Sequence, residues 1–483
     1  MKSHKYIFPF VVVLTLVSSC KKDFLEVDDN SFINRQSYVK DLKSMEEFLN
    51  GNYNMLHRVF YYGLNLVYPD LIADNIKPIV GGTFFVNHYS WTQQAELRAE
   101  DQPSAASLAM NASWTTGYRI IRACSFIIED VDKYRDQNPA KADGIKAQAY
   151  ALRALVHFQL VNIFAQAYNY SGDGSHPGIP FVTSSNISDA VVRNSVNEVY
   201  NGVINDLNAA ISLYKPELVS TLYMNSYAAK ALLARVYLFK GDYNGAKTLA
   251  REVGTVVPIM KNNGAVKMYP DSLFRKGETE ALFQLPPSAS GVAGSTYNTL
   301  FEGVFLSGSQ QKFLATSDIA TILKETTQDV RNSWVTQSGS NWNISKFPAN
   351  VVPGFSLSAG SYYQTLLRSS EMYLTAAESY ANLNNEDSAR YYLDEVRKRA
   401  NPAAILTSAT GPALLDSIYK ERRKELSFEG LRMFDLLRWK KGVNRTDAPN
   451  QAAKILSYPN NKAIAPLPIP DVNLMGFSQN LDY

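Results

Sequence analysis

Cysteine is scarce in this chain: Cys20 and Cys124 are the only two in 483 residues. One pair at most excludes a disulfide-built scaffold and a four-cysteine metal site. Charge imbalance is also small, with 48 Lys and Arg against 45 Asp and Glu and a formal net charge of +3. Nucleic-acid binders carry a marked basic excess or stripe, so a polyphosphate partner is not expected. Beyond the N-terminus no run reaches the roughly 18 apolar residues that a membrane span needs. His57, His88, His157 and His176 include no pair at the i, i+4 spacing of a zinc helix. The sequence has no Cys-x-x-Cys, P-loop, dinucleotide glycine fingerprint or Gly-x-Ser-x-Gly elbow. It therefore predicts no metal ligand, no cofactor and no catalytic residue. What it has in quantity is tyrosine, 29 residues beside 23 phenylalanines. A tyrosine-rich surface suits polyhydroxylated ligands and protein partners alike, because each ring joins a flat apolar face to a polar tip.

The first residues decide the compartment. Lys2, His4 and Lys5 precede a mostly apolar run from Tyr6 to Val17, too short to span a bilayer, and then Ser18 and Ser19. Val17-Ser18-Ser19-Cys20 resembles the lipobox of bacterial lipoproteins, in which the cysteine becomes acylated. Acyl chains contribute about 0.8 kcal/mol per buried CH2, so several together hold a protein firmly at a membrane. The expectation is a signal peptide over 1–19, lipidation at Cys20 and a polar tether from Lys21. Cys124 is then left without a disulfide partner and reads as a small buried hydrophobe.

Helical periodicity dominates the body. Ala229, Leu232, Leu233, Val236 and Tyr237 make one apolar stripe, Gly241-Asp242-Tyr243 stops it, and Ala246, Leu249, Ala250 and Val253 restart it. This is a helix-turn-helix hairpin similar to a tetratricopeptide unit. Tyr373 to Pro402 repeats the pattern around Asn384-Asn385-Glu386, residues near 104–135 and 140–168 predict another pair, and a further helix falls near 195–214. Such hairpins cannot bury their faces alone and should stack. The fold class is mainly α, a tetratricopeptide-like hairpin scaffold over about 30–253 and 366–445. A Gly-, Ser-, Asn- and Pro-rich insertion over about 254–365 predicts loops, short strands and isolated helices, and about 446–483 an extended end. Residues 20–483 are read as one domain.

Near the C-terminus, Glu421, Glu425 and Glu429 recur every four residues among Arg422, Arg423 and Arg432. Same-helix glutamates interleaved with arginines predict an ion-pair network. A glycosidase pair would instead face across a cleft.

The block from Glu421 to Trp439 resembles the signature of the SusD/RagB family of outer-membrane nutrient-uptake lipoproteins. Cys20-Lys21-Lys22-Asp23-Phe24-Leu25, Leu152-Arg153-Ala154, Leu367 to Leu374 with Ala376-Ala377-Glu378, and Pro466 to Pro470 with Gln479 to Tyr483 are similar to other family segments, in order, although Leu481-Asp482 departs from the usual ending. The resemblance implies a surface-exposed, lipid-anchored outer-membrane protein. It would capture an oligosaccharide and deliver it to a TonB-dependent transporter of the SusC type. A surface-anchored glycoside hydrolase and a transporter lid that binds peptide are the alternatives.

Sugars present C–H faces that stack on aromatic rings and hydroxyls that amides satisfy. Two stretches have that composition. Asn87, Tyr89 and Trp91 lie in an early polar region, and Tyr297, Trp334, Trp342 and Asn343 in the insertion. These seven are the candidate ligand residues, while Trp114 and Trp439 sit in helical patterns and read as core.

Overall fold

The computed structural model describes residues 38–57, 64–79, 85–94, 110–215, 220–262, 269–286, 313–347 and 363–483. Cys20 and Tyr297 lie outside the described residues. Helices begin where a side chain can satisfy the orphan amides of the first turn. Asp41 and Ser44 cap α1 (Leu42–Met55) reciprocally. The short helix α2 (Leu64–Leu71), strand β1 (Ile76–Pro78) and turn-like α3 (Val86–Tyr89) follow. Next comes α4 (Met110–Asp130), which passes through a 3-10 turn into α5 (Pro139–Phe164), where Asn138 caps and Pro139 supplies a first-turn residue with no amide to satisfy. Ser195 and Glu198 form a capping box on α6 (Val196–Leu213). Asn225 caps α7 (Ser226–Lys240), and Asp242 caps α8 (Tyr243–Val256). Gly241 lies between these two at φ +85°, the left-handed geometry that the predicted stop requires.

The insertion supplies β2 (Ala281–Leu285), β3 (Phe313–Ala315), α9 (Ser317–Leu323), β4 (Val335–Ser338), β5 (Asn341–Ile344) and β6 (Gln364–Arg368). Then come α10 (Ser369–Asn382), α11 (Glu386–Ala400), α12 (Gly411–Glu425) and α13 (Arg432–Arg438). The small pair β7 (Val443–Asn444) and β8 (Ile455–Leu456) and the helix α14 (Ile469–Met475) complete the described elements, so the expected extended end is partly helical.

From α4 to α8 each helix packs on the next. The stack then resumes across the insertion, with α8 on α10, and α10 on α11 and α12. Small side chains allow the close crossings: Ala234, Ala246 and Ala377 are fully buried. Cys124 is also fully buried in α4, and burial pushes its thiol up to about 12. It behaves as the small hydrophobe the sequence predicts.

Where scaffold and insertion meet, the core is ionic. Glu425, fully buried at the end of α12, accepts from Arg368 at 2.7 Å, Arg399 at 2.8 Å, Arg331 at 3.0 Å and the Tyr269 hydroxyl at 2.8 Å. Burial alone would raise its carboxyl, but these three guanidiniums outweigh it and hold the group well below the usual carboxylate range. Glu280 bridges Arg368 and Arg399, each at 2.7 Å. Lys346 donates to the Glu425 and Ser427 carbonyls and pairs with Glu429 at 2.6 Å.

The network exists as predicted, with different partners. Arg422 pairs with Asp435 at 2.8 Å, and Arg423 and Arg432 both turn to Asp74, at 3.3 and 2.7 Å. Arg423, two residues before Glu425, does not share its face of the helix, and Arg422, three before it, is taken by Asp435, so the partners of Glu425 come from other elements. Glu429 is not on the helix either. The chain leaves α12 at Leu426, and positive φ at Phe428 (67°) and Gly430 (76°) turns it away.

Candidate ligand site on the four-stranded sheet

The two stretches nominated by sequence converge on one antiparallel sheet of order β1-β3-β5-β4. Ile76 faces Ala315, and Ala315 faces Trp342, which in turn faces Gln337. Directly opposed residues project from the same side of a pleated sheet, so these four share a face. Phe313 belongs to it as well, and Phe85 stacks on Phe313 with centroids 6.5 Å apart. The short helix carrying Asn87 therefore lies over the face to which Trp342 belongs. Asn341 and Asn343 alternate to the other face, so Trp342 and Asn343 do not present one joint surface.

Three candidates are corrected by burial. Tyr89, Trp91 and Trp334 are only 1%, 6% and 2% exposed. The Arg445 guanidinium lies 3.8 Å from the Tyr89 ring centroid and 4.1 Å from that of Trp91, while the Trp91 indole donates to the Ile72 carbonyl at 2.9 Å. Lys346 covers Trp334 at 4.1 Å. Their faces are used by cations of the fold and do not offer stacking platforms in this conformation. Arg445 itself donates to the carbonyls of Leu71, Ala73, Tyr89 and Ala453, and burial draws its pKa down to about 10. Trp114 is buried as expected, whereas Trp439 is half-buried and stacks on Tyr419 at 3.9 Å.

Trp342 is different: it is half-buried at the margin of its face. The β4–β5 hairpin explains this position. Its two-residue turn, Gly339-Ser340, with φ +59° at Gly339, pairs Ser338 with Asn341 and so sets Gln337 beside Trp342. Gln337 is exposed, and the Lys324 ammonium lies 6.0 Å from the indole centroid. An accessible ring with an amide and an ammonium beside it can stack on an apolar face and hydrogen-bond polar groups around it. Gln337 and Lys324 were missed by composition. The Gly-Ser turn between alternating residues was the available signal for Gln337, and Lys324 had none. The sheet is secured from outside by Asp447, which pairs with Lys77 at 2.7 Å and accepts from the Ser317 amide at 2.8 Å. Burial opposes ionisation of Asp447, but these partners hold its carboxyl below the usual range.

Comparison with known proteins fits this architecture. A family model described as "Starch-binding associating with outer membrane" matches residues 23–238, and one described as the SusD family matches residues 312–474. SusD-like protein P2 of Formosa agariphila is 24% identical, with 97% of each chain covered. Among solved structures, a SusD superfamily protein of Bacteroides thetaiotaomicron superposes with a TM-score of 0.80 at 24% identity, covering 91% of this chain and 100% of its own. A Bacteroides vulgatus structure described as a "Putative sugar binding protein" gives 0.78 at 26% identity, covering 92% and 99%. With two family models that match 23–238 and 312–474 and relatives that cover nearly the whole chain in both sequence and structure, the chain belongs to the SusD/RagB family.

Proposed function

We propose that this protein is a surface-exposed outer-membrane lipoprotein, anchored through Cys20, that binds an oligosaccharide and hands it to a TonB-dependent transporter of the SusC type. The observation that carries the binding role is the Trp342 margin. There one accessible indole, the Gln337 amide and the Lys324 ammonium meet at the edge of a rigid sheet. The indole would stack on a sugar C–H face while Gln337 and Lys324 bond hydroxyls, with Asn87 approaching from the neighbouring helix. The family description and the sugar-binding name of a structural relative support the glycan over the peptide alternative. The hydrolase alternative finds no support in the glutamates of the C-terminal block. Glu425 is bound by three arginines within the core, and Glu421 and Glu429 pair with Arg331 and Lys346.

Calorimetry against a panel of oligosaccharides and peptides tests the reading. A glycan should bind, and Trp342→Ala should weaken it by roughly 1–3 kcal/mol. Peptide binding at the same residue, or turnover of the bound glycan, would replace it with one of the alternatives. Fractionation of a Cys20→Ala variant tests the anchor, because loss of the acyl chains should move the folded protein to the soluble fraction.

A further inference from the structure

A second cleft, of about 230 Å³, opens beside α4 and α14 and shares no residue with the Trp342 margin. It exceeds the ~150 Å³ that accommodates benzene in an engineered protein cavity. Its apolar wall is led by half-buried Tyr118, with only the small accessible parts of Trp114 and Phe477, 3% and 9% exposed, beside it; the Trp114 and Tyr118 rings lie 4.8 Å apart. Among the described residues three charged side chains also line it, and their engagement differs. Arg122 is committed to the fold, donating to the carbonyls of Ser184 at 3.2 Å and Asn186 at 2.6 Å. The Tyr118 hydroxyl is likewise committed, to the Pro180 carbonyl at 2.8 Å. Asp471 is half-buried, and its carboxylate has no hydrogen bond or ion pair among the described residues. Burial pushes that carboxyl up, with no cation among the described residues to offset it. Arg119 is exposed, and its guanidinium also lacks a partner among the described residues.

We infer that this cleft binds an amino-acid-type zwitterion with an apolar side chain, its ammonium on Asp471, its carboxylate on Arg119 and its side chain against Trp114, Tyr118 and Phe477. The mixed lining selects this class. A simple cation would meet two arginines, a simple anion would meet Asp471, and a neutral sugar would leave both uncommitted charges unpaired beside an apolar wall. A ligand carrying both charges satisfies both groups, and the aromatic wall takes its side chain.

The test uses the full-length protein and three probes that share one side chain: L-phenylalanine, its amide, which keeps only the ammonium, and 3-phenylpropanoate, which keeps only the carboxylate. Titration calorimetry should show one L-phenylalanine bound per chain, about tenfold more tightly than either half-ligand. Asp471→Asn should weaken L-phenylalanine about tenfold without weakening 3-phenylpropanoate, which is relieved of a like charge. Arg119→Gln should weaken L-phenylalanine about threefold, since an exposed pair contributes less, without weakening the amide. Absence of L-phenylalanine binding at millimolar concentration overturns the inference, and so does equal affinity of the wild type for all three probes. The half-ligand comparison needs no variant, so it stands even where a substitution disturbs folding. Neither result bears on the glycan reading, which is scored at Trp342.

Discussion

The guanidinium of Arg445 lies over the ring of Trp91, 4.1 Å from its centroid, although the two residues are separated by most of the chain. Arg445 also donates to four backbone carbonyls from three segments, those of Leu71 and Ala73, of Tyr89 and of Ala453. It therefore ties the early aromatic stretch to the C-terminal region. Lysine keeps the charge but cannot fan five donors in one plane. Arg445→Lys should lower stability by on the order of 3 kcal/mol in urea denaturation, because buried carbonyls lose their donor.

The tryptophans should separate into two classes. Trp91→Ala and Trp334→Ala empty buried sites and should each cost about 3–5 kcal/mol of stability. Trp342→Ala, at a half-exposed position, should change the thermal midpoint far less while weakening glycan binding. Thermal denaturation of the three variants beside calorimetry checks this. Equal destabilisation by all three would remove the distinction on which the site rests.

Burial explains why these residues could not be sorted by sequence. Trp91 and Trp342 both stand among polar, amide-bearing neighbours in sequence, and what separates them is a cation delivered from far along the chain in one case. The ion-pair network shows the same limit. That Glu425 would be paired was legible from its arginine-rich neighbourhood, yet its partners Arg399, Arg368 and Arg331 lie 26, 57 and 94 residues away. The helices were legible because their signals are local. Leu232, Leu233 and Val236 recur at the helical period, and Gly241 marks the turn. The sheet was visible only as a loss of that period, since Ile76 and Ala315 pair across a separation that no window spans.

Removing the centre of the network should be severe. Glu425→Ala strands three buried guanidiniums and should cost roughly 3–5 kcal/mol in denaturant midpoint and slope analysis. Glycan affinity in the protein that remains folded should be little changed, because Glu425 is fully buried at the junction of scaffold and insertion and bonds to none of Trp342, Gln337 and Lys324. Lost binding at full stability would contradict the structural role.

Glu278 gives a pH dependence of definite sign. Burial pushes its carboxyl up to about 8, and the neighbouring Glu280 adds to this, while Thr365, Arg368 and the Phe274 amide oppose it. A carboxyl raised in the folded state binds a proton that the unfolded chain has already released. Its contribution is thus full below about pH 4.5 and lost as pH rises through about 8. Glu278→Gln mimics the protonated form and should show no such loss. Across that window the wild type should fall relative to the variant by at most about 1.4 kcal/mol per pH unit, read from urea denaturation at several pH values. A constant difference between the two proteins would show that Glu278 does not titrate in that range.

Two glycines with similar backbones should respond differently to a methyl group. Gly241, at φ +85° in the α7–α8 turn, has open space where a Cβ would go. Gly241→Ala should therefore cost only the backbone term, roughly 1–2 kcal/mol for an L-residue in the left-handed region. Gly430, at φ +76°, would place its Cβ 2.7 Å from the Leu66 carbonyl oxygen, which is backbone and cannot rotate aside. That turn also brings the Gly430 amide to the buried Asp70 carboxyl group at 2.6 Å. Any shift that relieves the clash lengthens this bond, so Gly430→Ala should lose at least about 3 kcal/mol through overpacking, strain and a weakened hydrogen bond together. Comparing the two variants by thermal denaturation isolates the contact, since the backbone cost is common to both. Equal losses would mean that the loop after α12 can move away from α2 at no cost.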